Sequence, residues 1–414
     1  MHTDVSIILI SHNKYPQNLF TLWSLQNQEF DLQKMEVILV DDCSGDITAN
    51  LQYYPFPFPF KYLCSEQRLD RAGAKNLGLR EARGKVIIFL DAEILVGPDF
   101  VAKHLRHYEN SEEKIAVSGT TNHYCTFSVI HPNFSKSQLG HLLSFIREKP
   151  LLLNRLAGEL GTLPGELQDY NKFAEAVKKK KAIIPLLSKE DIYTQRYKEL
   201  SFHLPSFPQV MEKFDDSLTG YHLAWTFFIT RNVSVRKSLL DSVGPFNEKF
   251  RGWGYEDWEL GYRLYKSGVK ILEDREIFSY HQEHPFLAVD RSGEQMFNFL
   301  KLINLHPDIE VCALTLDLAG KKSLLEVNEI INDYYLLNNR FPKRYPHLKE
   351  AFFKLTRQIP FLLANDIPFC KLMQWSGLEK EPGKKKKLFA ELESLQKTGK
   401  FNSFVNAVEL LTSL

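Results

Sequence analysis

Three short, mostly apolar runs lie near the start of the chain, at residues 5–10, 37–40 and 86–90. Runs of this length that are rich in Val, Ile and Leu are typical of strands buried on both faces of a parallel sheet. Between them, residues 19–25 and 72–82 have the apolar spacing of helices. This alternation predicts an α/β fold with a mostly parallel sheet flanked by helices.

The remainder of the chain divides into segments that differ in their hydrophobic pattern. Residues 121–224 have an irregular pattern, which predicts a partly helical insertion, and the apolar and aromatic residues 225–235 predict a strand. Beyond residue 300, apolar side chains return at helical spacing. We therefore expect one α/β domain over residues 1–300, which contains the insertion, and a helical C-terminal region over residues 301–414.

Polar side chains follow directly after each of the three predicted strands. They are Ser11 and Asn13, then Asp41 and Asp42, then Asp91 and Glu93 with Ala92 between them. Because the carboxyl ends of parallel strands meet at one edge of the sheet, and ligands bind beyond those ends, these side chains are expected on one rim. The pattern predicts a ligand site there.

The first candidate for chemistry is the Asp91-Ala92-Glu93 motif. Two carboxylates one residue apart at a strand end can reach one hard divalent cation, and Mn²⁺ or Mg²⁺ suits oxygen ligands and a diphosphate. A solvated pair of turn acids is the structural alternative. Asp41 and Asp42 could accept hydrogen bonds from a base or a ribose hydroxyl, with an Asx turn or a helix cap as their alternative.

Two further groups could join this rim. Arg71, Lys75 and Asn76 open a helix, and a helix N-terminus with basic side chains suits a diphosphate; a basic helix start without an anion is the alternative. His281 and His284 follow strand-like segments. His281 is the preferred candidate to complete a metal site with Glu93, and His284 is the second candidate.

A glycine-flanked tryptophan precedes a pair of acids. Gly252 and Gly254 on either side of Trp253 permit a tight loop and a close backbone approach to a ligand. Glu256 and Asp257 then begin a predicted helix. Acids in a first turn also complement the helix dipole, which is their structural alternative. Since that role does not require the Trp-Gly loop, the pattern favours a functional role.

Composition excludes several classes of protein. The net charge of +1 argues against a dedicated nucleic-acid surface, and the five scattered cysteines form neither a zinc pattern nor a disulfide framework. No basic-then-apolar leader and no apolar stretch of about 18 residues is present. We expect a cytoplasmic protein without a transmembrane segment. The lysine runs 178–181 and 384–387 could contact anionic lipid or glycan, although a solvated face is the favoured explanation of each.

Taken together, these segments resemble the family 2 glycosyltransferases of the GT-A fold. Residues 252–264 resemble the C-terminal half of galactosyltransferase and chondroitin-polymerase-type domains. The resemblance covers about residues 4–125 and 225–290. It departs from the family pattern at Glu93, where Asp is usual, and at Arg231, where relatives often have a small residue.

The resemblance implies a role for each matching residue. Glu93 would be a direct metal ligand, Asp91 would contact ribose or metal, and His281 would be the downstream histidine ligand. Asp257 would be the general base that deprotonates the acceptor, and Glu256 would bind the acceptor or the donor sugar. Asp41 or Asp42 would hold the uracil or ribose. The remaining residues expected on the donor side are Ser11, Asn13, Arg71, Lys75, Asn76, Ala92, Trp253 and Gly254.

The implied function is metal-assisted, inverting transfer of a sugar from a UDP-sugar to an acceptor hydroxyl of a glycan. One alternative is a peptide or protein glycosyltransferase whose C-terminal helices recognise a polypeptide. Another is a catalytically inactive nucleotide-sugar-binding scaffold. A nucleotidyltransferase is a weaker candidate because it would not need the Trp-Gly loop. The insertion is expected to close over the donor and exclude water.

Overall fold

Thirteen strands occur in the part of the chain described by the computed structural model, residues 3–109, 112–285 and 292–413. In chain order they are β1 (Val5–Ser11), β2 (Met35–Asp41), β3 (Phe60–Cys64), β4 (Val86–Asp91), β5 (Ile94–Val96), β6 (Ile115–Ser118), β7 (His123–Thr126), β8 (Val129–Ile130), β9 (Ile184–Pro185), β10 (Ser201–His203), β11 (Asn232–Arg236), β12 (Lys270–Glu273) and β13 (Ser279–Gln282).

The central sheet has seven strands in the order β12-β6-β11-β4-β1-β2-β3. Among these described strands, β11 runs antiparallel to both of its neighbours, and every other pair is parallel. A second sheet has the order β10-β7-β13-β5, and β8 pairs with β9. The prediction of an α/β fold with a mostly parallel sheet is confirmed.

Eighteen α-helices accompany the strands in the described residues, in addition to short 3₁₀ helices. They are α1 (Gln17–Gln26), α2 (Asp70–Glu81), α3 (Phe100–Leu105), α4 (Lys136–Ile146), α5 (Pro150–Leu160), α6 (Tyr170–Lys180), α7 (Lys189–Tyr193), α8 (Pro208–Lys213), α9 (Lys237–Val243), α10 (Glu256–Lys266), α11 (Ser292–Leu305), α12 (Ile309–Ala313), α13 (Thr315–Leu318), α14 (Leu324–Arg340), α15 (Pro346–Ala364), α16 (Leu372–Trp375), α17 (Pro382–Gln396) and α18 (Asn402–Ser413).

The chain forms two compact units. The first consists of Met1–Pro208, Phe228–Pro245 and Gly268–Val289, and it holds every described strand. The second consists of Gln209–Phe227, Phe246–Ser267 and Asp290–Leu414. The helical character predicted beyond residue 300 is confirmed by α12–α18. The domain boundary at residue 300 stays a prediction, since the compact units group residues 246–267 with the C-terminal helices.

The predicted insertion contributes regular structure to the first unit. Its strand β7 pairs with β13 in the second sheet, and helices α4–α7 follow. Leu142, Leu156, Phe173 and Tyr197 are fully buried within one apolar cluster of this segment. The apolar faces of its short helices therefore form a core, which explains why a segment with a weak overall pattern is nevertheless ordered.

The prediction of a continuous strand over residues 225–235 is wrong. Its first part is the 3₁₀ helix Ala224–Phe227, and β11 begins only at Asn232. Trp225 is fully buried, and its ring packs edge-on against Trp258 and Tyr262, with centroids 5.7 and 5.1 Å away. A buried apolar run fits a helix or a strand equally well, so periodicity alone could not distinguish them.

Among the described residues, no helix has the length and apolar character that crossing a membrane requires.

Candidate active site

The first unit brings the three predicted polar strand ends to one rim. Ser11 at the end of β1 lies opposite Asp41 of β2, and Ile10 lies opposite Asp91 of β4. The parallel register aligns these ends, because neighbouring parallel strands place their carboxyl ends on the same edge. The rim itself thus has the position that the sequence predicts.

Asp41 and Asp42 are both buried and hydrogen-bonded at this rim. Asp41 accepts hydrogen bonds from the Ser44 amide at 2.9 Å and from the Tyr62 hydroxyl at 2.6 Å. Burial and the Asp41 carboxylate raise the pKa of Tyr62, so that hydroxyl remains a donor. Asp42 accepts from the Leu69 amide at 2.6 Å. Each carboxylate therefore holds a neighbouring loop in place.

Asn13 links the loop after β1 to the loop after β2. It has a left-handed backbone, with φ of 54°. Its side-chain oxygen accepts from the Gly45 amide at 2.7 Å, and its own amide donates to Ser44 Oγ at 2.8 Å. Ser11 is buried, and its Oγ accepts from Asn18 Nδ2 at 3.1 Å. Ser11 is therefore a buried part of the rim, whereas Asn13 is exposed at the surface of the rim.

Helix α2 supplies positive charge beside Asp91. Lys75 is buried and donates to Thr230 Oγ1 at 2.5 Å, whereas Arg71 in the first turn is exposed. Burial, together with the Glu93 carboxylate, raises the pKa of Asp91, and Arg71, Lys75 and Arg231 act against that rise. Asn76 is buried on the same helix. Arg71, Lys75 and Arg231 thus make the surroundings of Asp91 electropositive.

Glu93 and two histidines meet at the same rim. Glu93 lies in the turn between β4 and β5, and His281 of β13 pairs with Ile94 of β5. Glu93 Oε1 lies 3.9 Å from His281 Nε2 and 3.7 Å from His284 Nε2. The structure thus brings both candidate histidines to Glu93, rather than one of them.

This group has the chemistry of a metal-ligand set. One ligand atom from each of Glu93, His281 and His284 lies within 4.8 Å of the others. Burial lowers the pKa of His281 to about 3 and also lowers that of His284, so both imidazoles are neutral near pH 7 and have a free lone pair. Burial alone would raise the pKa of Glu93, but Lys14 and the two histidines hold it at about 2. Residues that fit a divalent cation are therefore in place.

Sequence reasoning missed three residues of this cluster: Lys14, Cys125 and Glu283. Lys14 Nζ lies 2.6 Å from Glu93 Oε1. One ligand atom from each of Cys125 of β7, His281 and Glu283 lies within 4.8 Å of the others, so these three could form an alternative ligand group. The position of Lys14, directly after the polar end of the first strand, was a usable signal. Cys125 offered none, because its strand was not predicted.

The Trp-Gly loop and the paired acids lie in the second unit. Gly252 and Gly254 have φ of 73° and 101°, values that favour glycine. Asn298 Nδ2 of α11 donates to the carbonyl oxygens of Arg251 and Trp253, at 2.8 and 3.3 Å. The Asn298 side chain thus holds the loop through two of the loop's backbone carbonyl groups.

The acids after this loop begin α10, as predicted. Glu256 is buried, whereas Asp257 is partly exposed. Two residues further on, Glu259 is buried and receives hydrogen bonds from Arg263 at 2.9 Å and from His306 Nε2 at 3.0 Å. Glu259 therefore has the structural role expected of an acid in a first turn, and Asp257 is the more accessible carboxylate of the pair.

Comparison with known families agrees with this arrangement. Residues 6–161 match the glycosyl transferase family 2 model. Residues 214–284 match the model described as the N-terminal domain of galactosyltransferase.

Curated relatives resemble most of the chain. The uncharacterized glycosyltransferase YfnE of Bacillus subtilis is 32% identical over 286 residues, which are 68% of this chain and 65% of the relative. Validoxylamine A glucosyltransferase of Streptomyces hygroscopicus subsp. jinggangensis is 27% identical, over 74% of this chain and 61% of the relative. Chondroitin synthase of Escherichia coli is 24% identical, over 68% and 35%. The chain spans less than two thirds of the length of each relative.

Among solved structures, that of Staphylococcus aureus TarS 1-349 with UDP-GlcNAc matches 98% of this chain and 91% of its own chain, at 14% identity and a TM-score of 0.48. This TM-score is below 0.5, so the match does not define the fold. The mostly parallel sheet and the two family matches agree with the GT-A resemblance. Residues 6–161 thus form a glycosyl transferase family 2 segment, and residues 214–284 form a galactosyltransferase-like segment.

Proposed function

We propose that this chain is a metal-assisted, inverting glycosyltransferase that moves a sugar from a UDP-sugar to an acceptor hydroxyl of a glycan. The observation that carries the proposal is the group of Glu93, His281 and His284 at the carboxyl ends of the sheet, beside Asp91. A ligand set at that edge suits a nucleotide diphosphate. The match of residues 6–161 to family 2 supports the transferase class.

On the donor side, Asp41 or Asp42 would accept hydrogen bonds from uracil or ribose. Arg71 and Lys75, the basic residues at the start of α2, would pair with the diphosphate, because the helix N-terminus adds partial positive charge there. The other donor-side residues of the proposal are Ser11, Asn13, Asn76, Ala92, Trp253 and Gly254.

Glu93, His281 and His284 would hold the cation, with Asp91 contacting the cation or the ribose. Two imidazoles in the ligand set favour Mn²⁺ over Mg²⁺, since Mg²⁺ prefers oxygen ligands. A bound divalent cation would offset the negative charge that develops on the departing UDP. The chain's own contribution is to hold the ligands in a fixed, largely buried arrangement.

Asp257 is the proposed general base, and Glu256 would hold the acceptor or the donor sugar. A base must have an accessible carboxylate, and Asp257 is the more exposed of the two acids. Removal of the acceptor proton by a carboxylate, with direct displacement at the anomeric carbon, inverts the configuration.

Two relatives support a saccharide-like acceptor, since their names are chondroitin synthase and validoxylamine A glucosyltransferase. The domain division at residue 300 and the closing role of the insertion are also part of this proposal.

The test is release of UDP from a panel of UDP-sugars, with Mn²⁺, with Mg²⁺ and with a chelator. We expect turnover of at least one donor that the chelator abolishes. We also expect Glu93→Ala to weaken Mn²⁺ binding by at least about 100-fold, because it removes the carboxylate from the ligand set. Glu81→Ala is the matched control, since Glu81 forms an exposed ion pair with Lys61 in the same unit.

Three results would contradict the proposal or one part of it. Donor binding without turnover of any donor, for a panel of glycan and peptide acceptors, would favour the nucleotide-sugar-binding scaffold. Transfer to peptides alone would favour the protein glycosyltransferase. Turnover that is equally fast with metal and with the chelator would show that the metal has no part in the mechanism. The chain would then still be a glycosyltransferase.

A further inference from the structure

Lys14 places a fixed positive charge within the group of candidate metal ligands. Its Nζ lies 2.6 Å from Glu93 Oε1, and this same oxygen is the one nearest to His281 and His284, at 3.9 and 3.7 Å. One carboxylate oxygen therefore faces an ammonium group and two imidazoles. The residue follows Asn13 in the segment between β1 and α1.

The Lys14 ammonium group balances the charge of Glu93 in this arrangement. Glu93 is buried, and an unpaired carboxylate in such a position would be costly. Within the described residues, Lys14 is the side chain whose Nζ forms a hydrogen-bond-length ion pair with this carboxylate.

An ammonium group and a divalent cation cannot share this site without strong repulsion. Both would approach the same oxygen, and two cations a few ångströms apart repel each other, especially where water is scarce. Lysine also has a long, flexible stem, and the Lys14 side chain is 19% exposed. It can therefore leave Glu93 through a rotation of its side chain, with no change in the sheet.

We propose that Lys14 is a resident counter-ion that competes with the divalent cation for Glu93. When the cation binds, the displaced ammonium group pairs with the diphosphate of the donor, which couples metal binding to nucleotide binding. The second half of this proposal rests on the proposed function, because it requires a nucleotide donor. The first half requires only that Glu93, His281 and His284 bind a divalent cation.

The test is Mn²⁺ affinity, measured without a donor by the paramagnetic resonance signal of free Mn²⁺. We expect Lys14→Met to bind Mn²⁺ about tenfold more tightly than the parent, which corresponds to about 1.4 kcal/mol. In the presence of saturating Mn²⁺, the same variant should bind UDP about tenfold more weakly, because it lacks the ammonium group that would pair with the diphosphate. These opposite shifts separate competition from a general loss of structure.

Three further variants sharpen the measurement. Lys14→Arg keeps the charge and should retain the parent Mn²⁺ affinity within about threefold. Lys61→Met removes an exposed lysine that pairs with Glu81 in the same unit and should change neither affinity. In a Glu93→Gln background, Lys14→Met should no longer tighten Mn²⁺ binding, because the shared oxygen has lost its charge. Lys14→Gln repeats the test should the methionine variant fold poorly.

An unchanged or weaker Mn²⁺ affinity in folded Lys14→Met and Lys14→Gln would overturn the competition, and so would the absence of Mn²⁺ binding in all variants. An unchanged UDP affinity would overturn the contact with the diphosphate. Sugar transfer is measured separately by UDP release. Tighter Mn²⁺ binding in a chain that transfers no sugar would therefore refute the proposed function and keep the competition.

Discussion

The rim of the first unit and the Trp-Gly loop of the second unit are built in different ways. At the rim, Asp41, Asp91 and Glu93 belong to separate strands or turns, and the register of the sheet brings them together. In the loop, Gly252 and Asp257 are close in sequence, and the backbone conformation positions them. Damage to the rim should therefore appear first as lost ligand affinity, whereas damage to the loop should appear as lost turnover or local stability.

The largest expected effect is on the loop side. Asp257→Asn keeps the shape of the side chain and removes its ability to accept a proton, so kcat should fall by about 10³-fold while donor KM changes by less than about threefold. Steady-state UDP release measures both constants. Asp241→Asn, on the exposed face of α9, is the matched control and should behave as the parent. A kcat within tenfold of the parent would remove Asp257 as the base.

The next effect tests the sheet that carries the rim. Glu273 of β12 is buried, and burial raises its pKa to about 7, although the Thr121 amide and hydroxyl donate to it at 2.7 and 2.6 Å. The unfolded chain has the ordinary pKa of 4.5, so between pH 4.5 and 7 the folded state holds a proton that the unfolded state releases. Stability should therefore fall as pH rises through this window, by up to about 3 kcal/mol from this group.

The measurement is urea unfolding at pH 5 and pH 8 for the parent and for Glu273→Gln. The glutamine side chain cannot ionise. The Glu273→Gln variant should therefore lose less stability between pH 5 and pH 8 than the parent loses. Because other groups titrate in both proteins, only the difference between the two proteins reports on Glu273. Equal losses would show that this carboxyl group titrates normally.

The smallest expected effect concerns the backbone of the loop. Gly252→Ala places a side chain at φ of 73°, and its Cβ would lie 2.7 Å from Glu294 Oε2. We expect a loss of about 1–2 kcal/mol. Gly158→Ala is the control, because this glycine lies inside α5 with open space around it, and alanine there should stabilise the helix by about 0.5–1 kcal/mol. Thermal unfolding compares the two, and equal behaviour would mean that the loop tolerates a side chain.

Local pattern was sufficient for much of the fold. The runs at β1, β2 and β4 were predicted because buried parallel strands are continuous and apolar. The start of α10 at Glu256 was predicted from the glycine loop and the acids that follow it. The second sheet was largely missed, since β5, β7 and β10 have only three or four residues each. Segments of that length show too little periodicity to be recognised.

For the candidate site, local pattern was enough to predict which residues end each strand, and hence that Asp41 and Asp91 share a rim. The approach of both His281 and His284 to Glu93 could not be predicted in this way, because it depends on the pairing of β13 with β5. The same holds for Lys14, whose place at Glu93 Oε1 follows from the path of the chain between β1 and α1. The physical reason is that strand ends follow from local periodicity, whereas side-chain contacts between distant segments depend on strand pairing and burial, which no local pattern records.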